Sequence, residues 1–254
     1  MARPDITLIL PAYNEASTIL RTVAEALAYF ESSGKSCEVI VAADGEDGTR
    51  ELVRTAYAGD PRITVIGYGE RKGKGRGIRD AVALANGSVV GYADADNKVP
   101  IEEYGKIEPW LAQGSDIVVG SRALAGSRIE RRQPLYRRLG SWGFYWTLKC
   151  LVGLPGITDS QCGFKFFRRE VARDLFSRQQ IDGYMFDVEI LALAQALGYR
   201  IVQVPVRWRD DGDSRLELVR GNLQNAKDLL RIRRSLTRLN LHAEPRIAAS
   251  RREP

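Results

Sequence analysis

Asp94-Ala95-Asp96 closes a short apolar run, Ser88–Ala93, and is followed by Asn97, Lys98 and Pro100. Two carboxylates one residue apart at a strand end can reach one hard cation together. Mg²⁺ or Mn²⁺ suits such a donor set, because it keeps waters and binds phosphate oxygens. Some twenty residues upstream, Glu70-Arg71-Lys72-Gly73-Lys74-Gly75-Arg76-Gly77 sets glycines and cations just before a predicted helix. Glycine lets backbone approach phosphate, and a helix start favours anions. The loop is not a Walker motif, since Gly75 stands where Ser or Thr should follow Gly73-Lys74. Nor is it a dinucleotide fingerprint, since Ile78 occupies the last glycine position. Acid pair and basic loop together point to a metal–nucleotide–sugar site. A metal there would neutralise charge on a departing nucleoside diphosphate. Read singly, each motif also fits a plain surface turn.

Four further stretches could carry chemistry. In Pro11-Ala12-Tyr13-Asn14-Glu15 the polar side chains can meet a base or ribose, or simply turn a strand into a helix. Asp44-Gly45 can accept a base N–H, or form a helix-start turn with Asp47 as cap. Asp159-Ser160-Gln161-Cys162-Gly163-Phe164-Lys165 is polar within apolar surroundings and can supply a carboxylate to a reaction centre. Phe186-Asp187-Val188-Glu189 opens an apolar helix, where two acids also complement the helix dipole.

The elements that must position these residues follow from periodicity. Strands are expected at Ile6–Leu10, Glu38–Ala42, Ile63–Ile66, Ser88–Ala93 and Asp116–Val119. Helices are expected at Ala16–Phe30 (Ser17 as cap), Thr49–Tyr57, Gly77–Ala85 and Ile101–Leu111. This alternation is the signature of an α/β domain with a parallel sheet covered on both faces. Ligands of such sheets lie beyond the carboxyl ends of the strands. Asn14, Asp44, the Lys72 loop and Asp94 all fall there. Beyond Arg122 the pattern changes: a basic loop, an aromatic and basic helix at Leu135–Val152, a loop from Gly156 into a short strand, a helix at Val188–Leu197, a strand at Ile201–Val206 and a basic amphipathic helix at Leu216–Asn240. We expect one domain over residues 1–242, with a nucleotide-sugar half at about 1–120 and an acceptor half at about 121–242. Residues 243–254 are expected to be a flexible tail.

The chain has 254 residues, a net charge of +6 and 44% hydrophobic residues, enough for a sizeable core. Arg122–Cys150 holds seven basic residues and one acid, and Arg215–Asn240 seven and two; the remainder is net acidic. Basicity confined to two segments points to anionic partners at defined surfaces. Cys37, Cys150 and Cys162 form neither a metal-ligand pattern nor a disulfide framework, as expected of a reducing compartment. No signal peptide and no apolar run of membrane-spanning length is visible.

Taken in order, Leu10-Pro11-Ala12-Tyr13-Asn14-Glu15, Lys72-Gly73-Lys74-Gly75, Asp94-Ala95-Asp96, Val119-Gly120-Ser121-Arg122, Asp159–Lys165 and Phe186–Glu189 resemble a family 2 glycosyltransferase of the GT-A fold. The likeness covers roughly residues 4–235 and is greatest to polyprenyl-phosphate sugar synthases, especially dolichyl-phosphate β-glucosyltransferases. It implies that Pro11, Tyr13, Glu15, Asp44, Lys72, Lys74 and Asp94 bind nucleotide, and that Asp94 and Asp96 hold Mg²⁺ or Mn²⁺. Asp96, Asp159, Gln161 and Arg122 would serve catalysis. Arg122, Arg137, Arg138 and Arg215 would meet the acceptor phosphate. The turn at Ala43–Thr49 is one residue shorter than the family's and lacks its first Asp. Lys98 stands where some relatives place a metal-ligating Gln, and a charged lysine cannot ligate.

The resemblance implies inverting single displacement from a nucleotide sugar, UDP-glucose before GDP-mannose, to a polyprenyl phosphate. An anionic acceptor needs cations rather than a strong base. Leu135–Val152 is expected to lie peripherally at the cytoplasmic face of a membrane, aided by Leu216–Asn240. A hydroxyl acceptor is the alternative, with Asp159 or Asp187 as base. Nucleic-acid binding through the basic segments would leave the acid pair without purpose, so no nucleic-acid partner is expected.

Overall fold

The computed structural model describes residues 3–129, 152–209 and 220–242. Arg137, Arg138, Arg215, nearly all of the Leu135–Val152 segment and the 243–254 tail lie outside the described residues.

Seven strands form one sheet: β1 (Ile6–Tyr13), β2 (Cys37–Asp44), β3 (Ile63–Ile66), β4 (Val89–Ala93), β5 (Ile117–Ser121), β7 (Phe164–Arg168) and β8 (Ile201–Pro205). Their spatial order is β3-β2-β1-β4-β7-β5-β8. A short second sheet pairs β6 (Arg128–Ile129) with β9 (Arg207–Trp208). The helices are α1 (Ile19–Ser32), α2 (Thr49–Ala56), α3 (Lys74–Leu84), α4 (Tyr104–Ala112), α5 (Arg169–Arg178), α6 (Phe186–Ala196) and α7 (Arg220–His242).

The central strands are buried on both faces, so they read as nearly continuous apolar runs. Successive residues still go to opposite cores. Ile9, Ile40 and Ala42 join α3, α5, α6 and α7 on one side. Leu8, Leu10, Val39 and Val41 join α1, α2 and α4 on the other.

The expected alternation of strand and helix is present through β5. Three local details differ. Helix α1 begins at Ile19, and Thr18 rather than Ser17 is its N-terminal boundary, without a side-chain cap. Helix α3 begins at Lys74, three residues early, because Gly73 takes φ +110° and turns the chain directly into the helix. Helix α5 was not anticipated. Its five charged residues mask a narrow apolar stripe, Val171, Ala172, Leu175 and Phe176.

The main departure from an all-parallel sheet is β7. It runs antiparallel between β4 and β5, pairing Ala93 with Phe164 and Ile117 with Phe167. Its start therefore lies at the same edge as the ends of β1, β2, β4 and β5. Phe167 and Tyr92 face the α6 side, and so does Lys165, whose side chain is fully buried. The Lys165 ammonium donates to Asp187 Oδ1 of α6 at 2.5 Å and to the Cys162 carbonyl at 2.7 Å. The Tyr92 hydroxyl donates to the same Asp187 oxygen.

Removing one partner of a buried ion pair strands the other charge, so Lys165→Met is expected to cost about 3–5 kcal/mol in chemical denaturation. Lys165→Met combined with Asp187→Leu should recover most of that loss, since no bare charge remains.

Candidate active site

Residue by residue, the carboxyl edge of the sheet assembles most of the expected site. Tyr13 and Asp44 end β1 and β2 in register. Pro11 lies within β1 beside Ala42 of β2. Glu15 begins the turn into α1, its amide donating to Thr49 Oγ1 and its carboxylate accepting from Thr18 Oγ1.

Asp44 is buried and organises the basic loop. Its Oδ2 accepts the amides of Lys72 (2.8 Å) and Gly73 (3.3 Å), and its Oδ1 accepts the amide of Tyr68 (3.2 Å). This backbone-holding role was not foreseen. The Lys72 side chain leaves toward solvent and pairs with Glu70.

The loop glycines also have a use that the sequence did not show. A Cβ on Gly73 would lie 2.4 Å from the Asp182 carbonyl oxygen, and one on Gly75 2.6 Å from that of Ile181. They let α3 start hard against the 181–186 turn. That contact delivers Lys74 to the acid pair, where its ammonium reaches Asp94 Oδ1 at 2.5 Å. Burial alone would lower the Lys74 pKa. The Asp94 and Asp187 carboxylates outweigh it and raise the value, so the ammonium stays charged.

Asp94 and Asp96 follow β4 in a turn fixed by Asn97, which takes φ +54° and donates its amide to the Asp94 carbonyl. Asn tolerates this left-handed conformation better than most residues. Lys98 comes back onto Asp96: Nζ lies 2.8 Å from Oδ2, and the amide 3.3 Å from Oδ1. The β7 insertion places Gly163 under Asp94, whose amide donates to the Gly163 carbonyl. A Cβ at 163 would lie 2.1 Å from an Asp94 carboxylate oxygen, so any larger residue must displace that carboxylate.

Arg122 leaves the end of β5 and meets Asp159. Its backbone amide and Nε donate to Oδ2 at 3.0 and 2.7 Å, and Nη2 donates to Oδ1 at 2.9 Å. The guanidinium also lies over the Trp208 ring, 5.5 Å from its centroid. Burial pushes the Asp159 carboxyl up, but the Arg122 fork outweighs it and holds the group below the usual carboxylate range. Gln161 is half-buried beside this pair, and its amide donates to Asp159 Oδ1. Asp187 lies in the core beneath, held by Lys165 and Tyr92. Cys162 is buried, and its thiol is pushed up to about 12 by desolvation, which makes it inert rather than nucleophilic.

Asp94 and Asp96 fit a hard divalent ion. Both offer carboxylate oxygen, and both already face a cationic group. Among the described residues no cluster of three or more His, Cys, Asp or Glu side chains could hold a metal. An ion held there would draw its remaining ligands from outside the protein, as Mg²⁺ and Mn²⁺ commonly do with water and phosphate oxygens.

A paired acid site, a cationic helix start and a half-buried arginine thus meet at one sheet edge of a GT-A fold. The chain belongs to glycosyl transferase family 2, whose model matches residues 7–176; it is a glycosyltransferase. It is 35% identical to a dolichyl-phosphate beta-glucosyltransferase of Trichomonas vaginalis over 89% of this chain and 70% of the relative. It is 33% identical to the Homo sapiens dolichyl-phosphate beta-glucosyltransferase over 90% of this chain and 74% of that one. Among solved structures, mannosyl-3-phosphoglycerate synthase from Rubrobacter xylanophilus shares the fold with a TM-score of 0.68 at 20% identity, covering 95% of this chain and 77% of that one. Glucosyl-3-phosphoglycerate synthase from Mycobacterium tuberculosis, in complex with Mn²⁺, UDP and phosphoglyceric acid, has a TM-score of 0.63 at 20% identity, covering 92% and 78%.

Two outcomes are expected. Gly163→Ala should displace Asp94 while leaving the circular dichroism spectrum unchanged, and should slow sugar transfer roughly 10²-fold. Asp159 has a depressed folded pKa, so its contribution is complete above the unfolded value of about 4 and is lost as pH falls through the lower folded value. In acid denaturation, Asp159→Asn should therefore remove part of the stability loss below pH 4, beside a lower stability at neutral pH.

Proposed function

We propose that this enzyme transfers glucose from UDP-glucose to a polyprenyl or dolichyl phosphate, with inversion at the anomeric carbon. One observation carries the phosphate-acceptor reading. The two carboxylates that could act as base toward a hydroxyl acceptor are both occupied by cations: Asp159 by Arg122 and Asp187 by Lys165. Asp187 is buried in its ion pair with Lys165, and the Asp159 carboxylate, held below its usual range by Arg122, is a poor proton acceptor. A phosphate monoester is already anionic near neutral pH and needs none. The names of the relatives agree with this acceptor.

In this reading an acceptor phosphate oxygen attacks the anomeric carbon while the bond from that carbon to the diphosphate oxygen breaks. The new bond is a glycosyl phosphate, and the nucleoside diphosphate leaves with the electron pair. Tyr13, Pro11, Glu15 and the Asp44-held loop line the nucleotide. Asp94 and Asp96 would hold a divalent ion, which would neutralise charge on the leaving diphosphate. Lys74 adds a fixed positive charge at the same place. Arg122 spends Nε and Nη2 on Asp159, and Nη1 is left for the acceptor phosphate. Arg137, Arg138 and Arg215 are proposed to join it, and Gln161 to face the sugar.

The lipid acceptor implies work at a membrane surface, and we place the enzyme at the cytoplasmic face. No helix among the described residues is long and apolar enough to cross a bilayer. Helix α7 instead buries Asp228, Leu229 and Ile232 and exposes Lys227, Leu230, Arg231, Arg233, Arg234 and Arg238. That cationic face with one apolar residue suits anionic headgroups.

UDP-glucose with Mn²⁺ should raise the melting temperature, GDP-mannose should not, and Asp96→Ala should abolish the metal-dependent part. Glucose should pass to polyprenyl phosphate and not to 3-phosphoglycerate. Transfer to 3-phosphoglycerate alone would refute the acceptor. Cosedimentation with anionic vesicles should fall as salt rises and at least tenfold in Arg233→Glu/Arg234→Glu/Arg238→Glu. Equal binding by this variant would remove α7 from the membrane contact.

A further inference from the structure

Each acid of the pair carries its own lysine. Lys74 Nζ is 2.5 Å from Asp94, and Lys98 Nζ is 2.8 Å from Asp96. Neither lysine is a loose surface charge, for both side chains are only 17% exposed. Lys74 is fixed by the start of α3 against the 181–186 turn. Lys98 is fixed at both ends of its backbone: its amide donates to Asp96, and its carbonyl accepts the Arg209 amide at 2.8 Å. The left-handed turn at Asn97 aims it back at the acid two residues before it.

A divalent cation approaching this pair meets two ammonium groups of its own sign already on the carboxylate oxygens. To bind alone it must either sit against both ammonium charges or push one off its carboxylate oxygen, and each costs electrostatic energy. A diphosphate changes that balance, because its oxygens can receive the displaced lysines while also ligating the metal. The lysines then exchange one anionic partner for another.

We propose that Lys98 is a resident counter-ion that keeps the divalent metal off Asp96 until a nucleoside diphosphate arrives, so that metal and nucleotide bind as a coupled pair. The inference rests on Asp94 and Asp96 being the metal ligands of the proposed reaction, and it concerns how that site is loaded and reset. When nucleoside diphosphate departs, Lys98 returns to Asp96 and the metal is expelled with the product. By linkage, the factor by which nucleotide strengthens metal binding equals the factor by which metal strengthens nucleotide binding.

Isothermal titration calorimetry on the full chain tests this with Mn²⁺ alone, UDP alone, and each in the presence of the other. In the native protein Mn²⁺ alone should bind weakly, and UDP should strengthen it by at least tenfold. Lys98→Met removes the charge without adding a ligand. It should strengthen binding of Mn²⁺ alone on the order of tenfold and shrink the coupling by the same factor. Lys98→Arg keeps the charge and should behave like the native chain. Melting temperatures without ligand identify any variant that has lost its fold, and native-chain coupling is readable without any variant. Failure of UDP to bind under any condition would overturn the nucleotide-sugar reading itself. If UDP and Mn²⁺ bind but Lys98→Met leaves affinity for Mn²⁺ alone unchanged, the counter-ion role is overturned while the site assignment stands. Absence of coupling in the native chain would overturn it equally.

Discussion

The Lys165 ammonium is wholly buried, and the way it is satisfied decides how β7 is set between β4 and β5 and against the helix that carries Asp187. It sits on β7, the one strand of the large sheet that runs against its neighbours, and it is held by Asp187 from α6 and the carbonyl of Cys162. A buried lysine at that depth has few alternatives to this arrangement. Shifting β7 by one residue would send Lys165 to the opposite core and Phe166 into its place. The pair therefore fixes register, and register fixes Gly163 beneath Asp94. The turn after β4 and the Asp159–Gly163 stretch meet at that glycine.

From the same pair the charge pattern extends outward. Asp187 faces Lys165 and contributes to holding Lys74 charged; Lys74 faces Asp94, and Lys98 faces Asp96. Arg122 and Asp159 form a second pair at the end of β5. Positive and negative groups alternate from the core to the mouth of the site, so no side chain in this series is buried without an opposite partner. Such preorganisation supplies the electrostatic field before substrate arrives.

Much of this was legible in the sequence because of local causes. The first five strands and their helices follow from apolar periodicity. Asp94 and Asp96 are visible because two acids directly after an apolar strand have few structural reasons to be there. What was not legible depends on contacts distant in sequence. Nothing local shows that β7 is antiparallel, since its five residues pair with strands some fifty and seventy residues earlier. Asp159 reads as a reactive carboxylate until Arg122, thirty-seven residues before it, is seen to hold it. Helix α5 was missed because its charged residues outnumber the apolar ones that bury it. Gly73 and Gly75 read as a phosphate cradle, although each is required by the carbonyls of residues 182 and 181.

That last point bears on what a glycine-rich basic loop signifies. A loop shaped to wrap phosphate should keep open space over its glycines. Here a backbone carbonyl fills the space over two of them, so in the proposed reaction the phosphate-directed work falls to the side chain of Lys74 and to the start of α3. In the proposed reaction such a site would grip diphosphate through charge held in place by packing. Its affinity should then depend on the α3–α6 contact as much as on any group that touches the ligand. The sites of charge and the sites of packing are one structure, which is why an alanine at Gly75, meeting the Ile181 carbonyl and Phe186, would disturb the acid pair through Lys74.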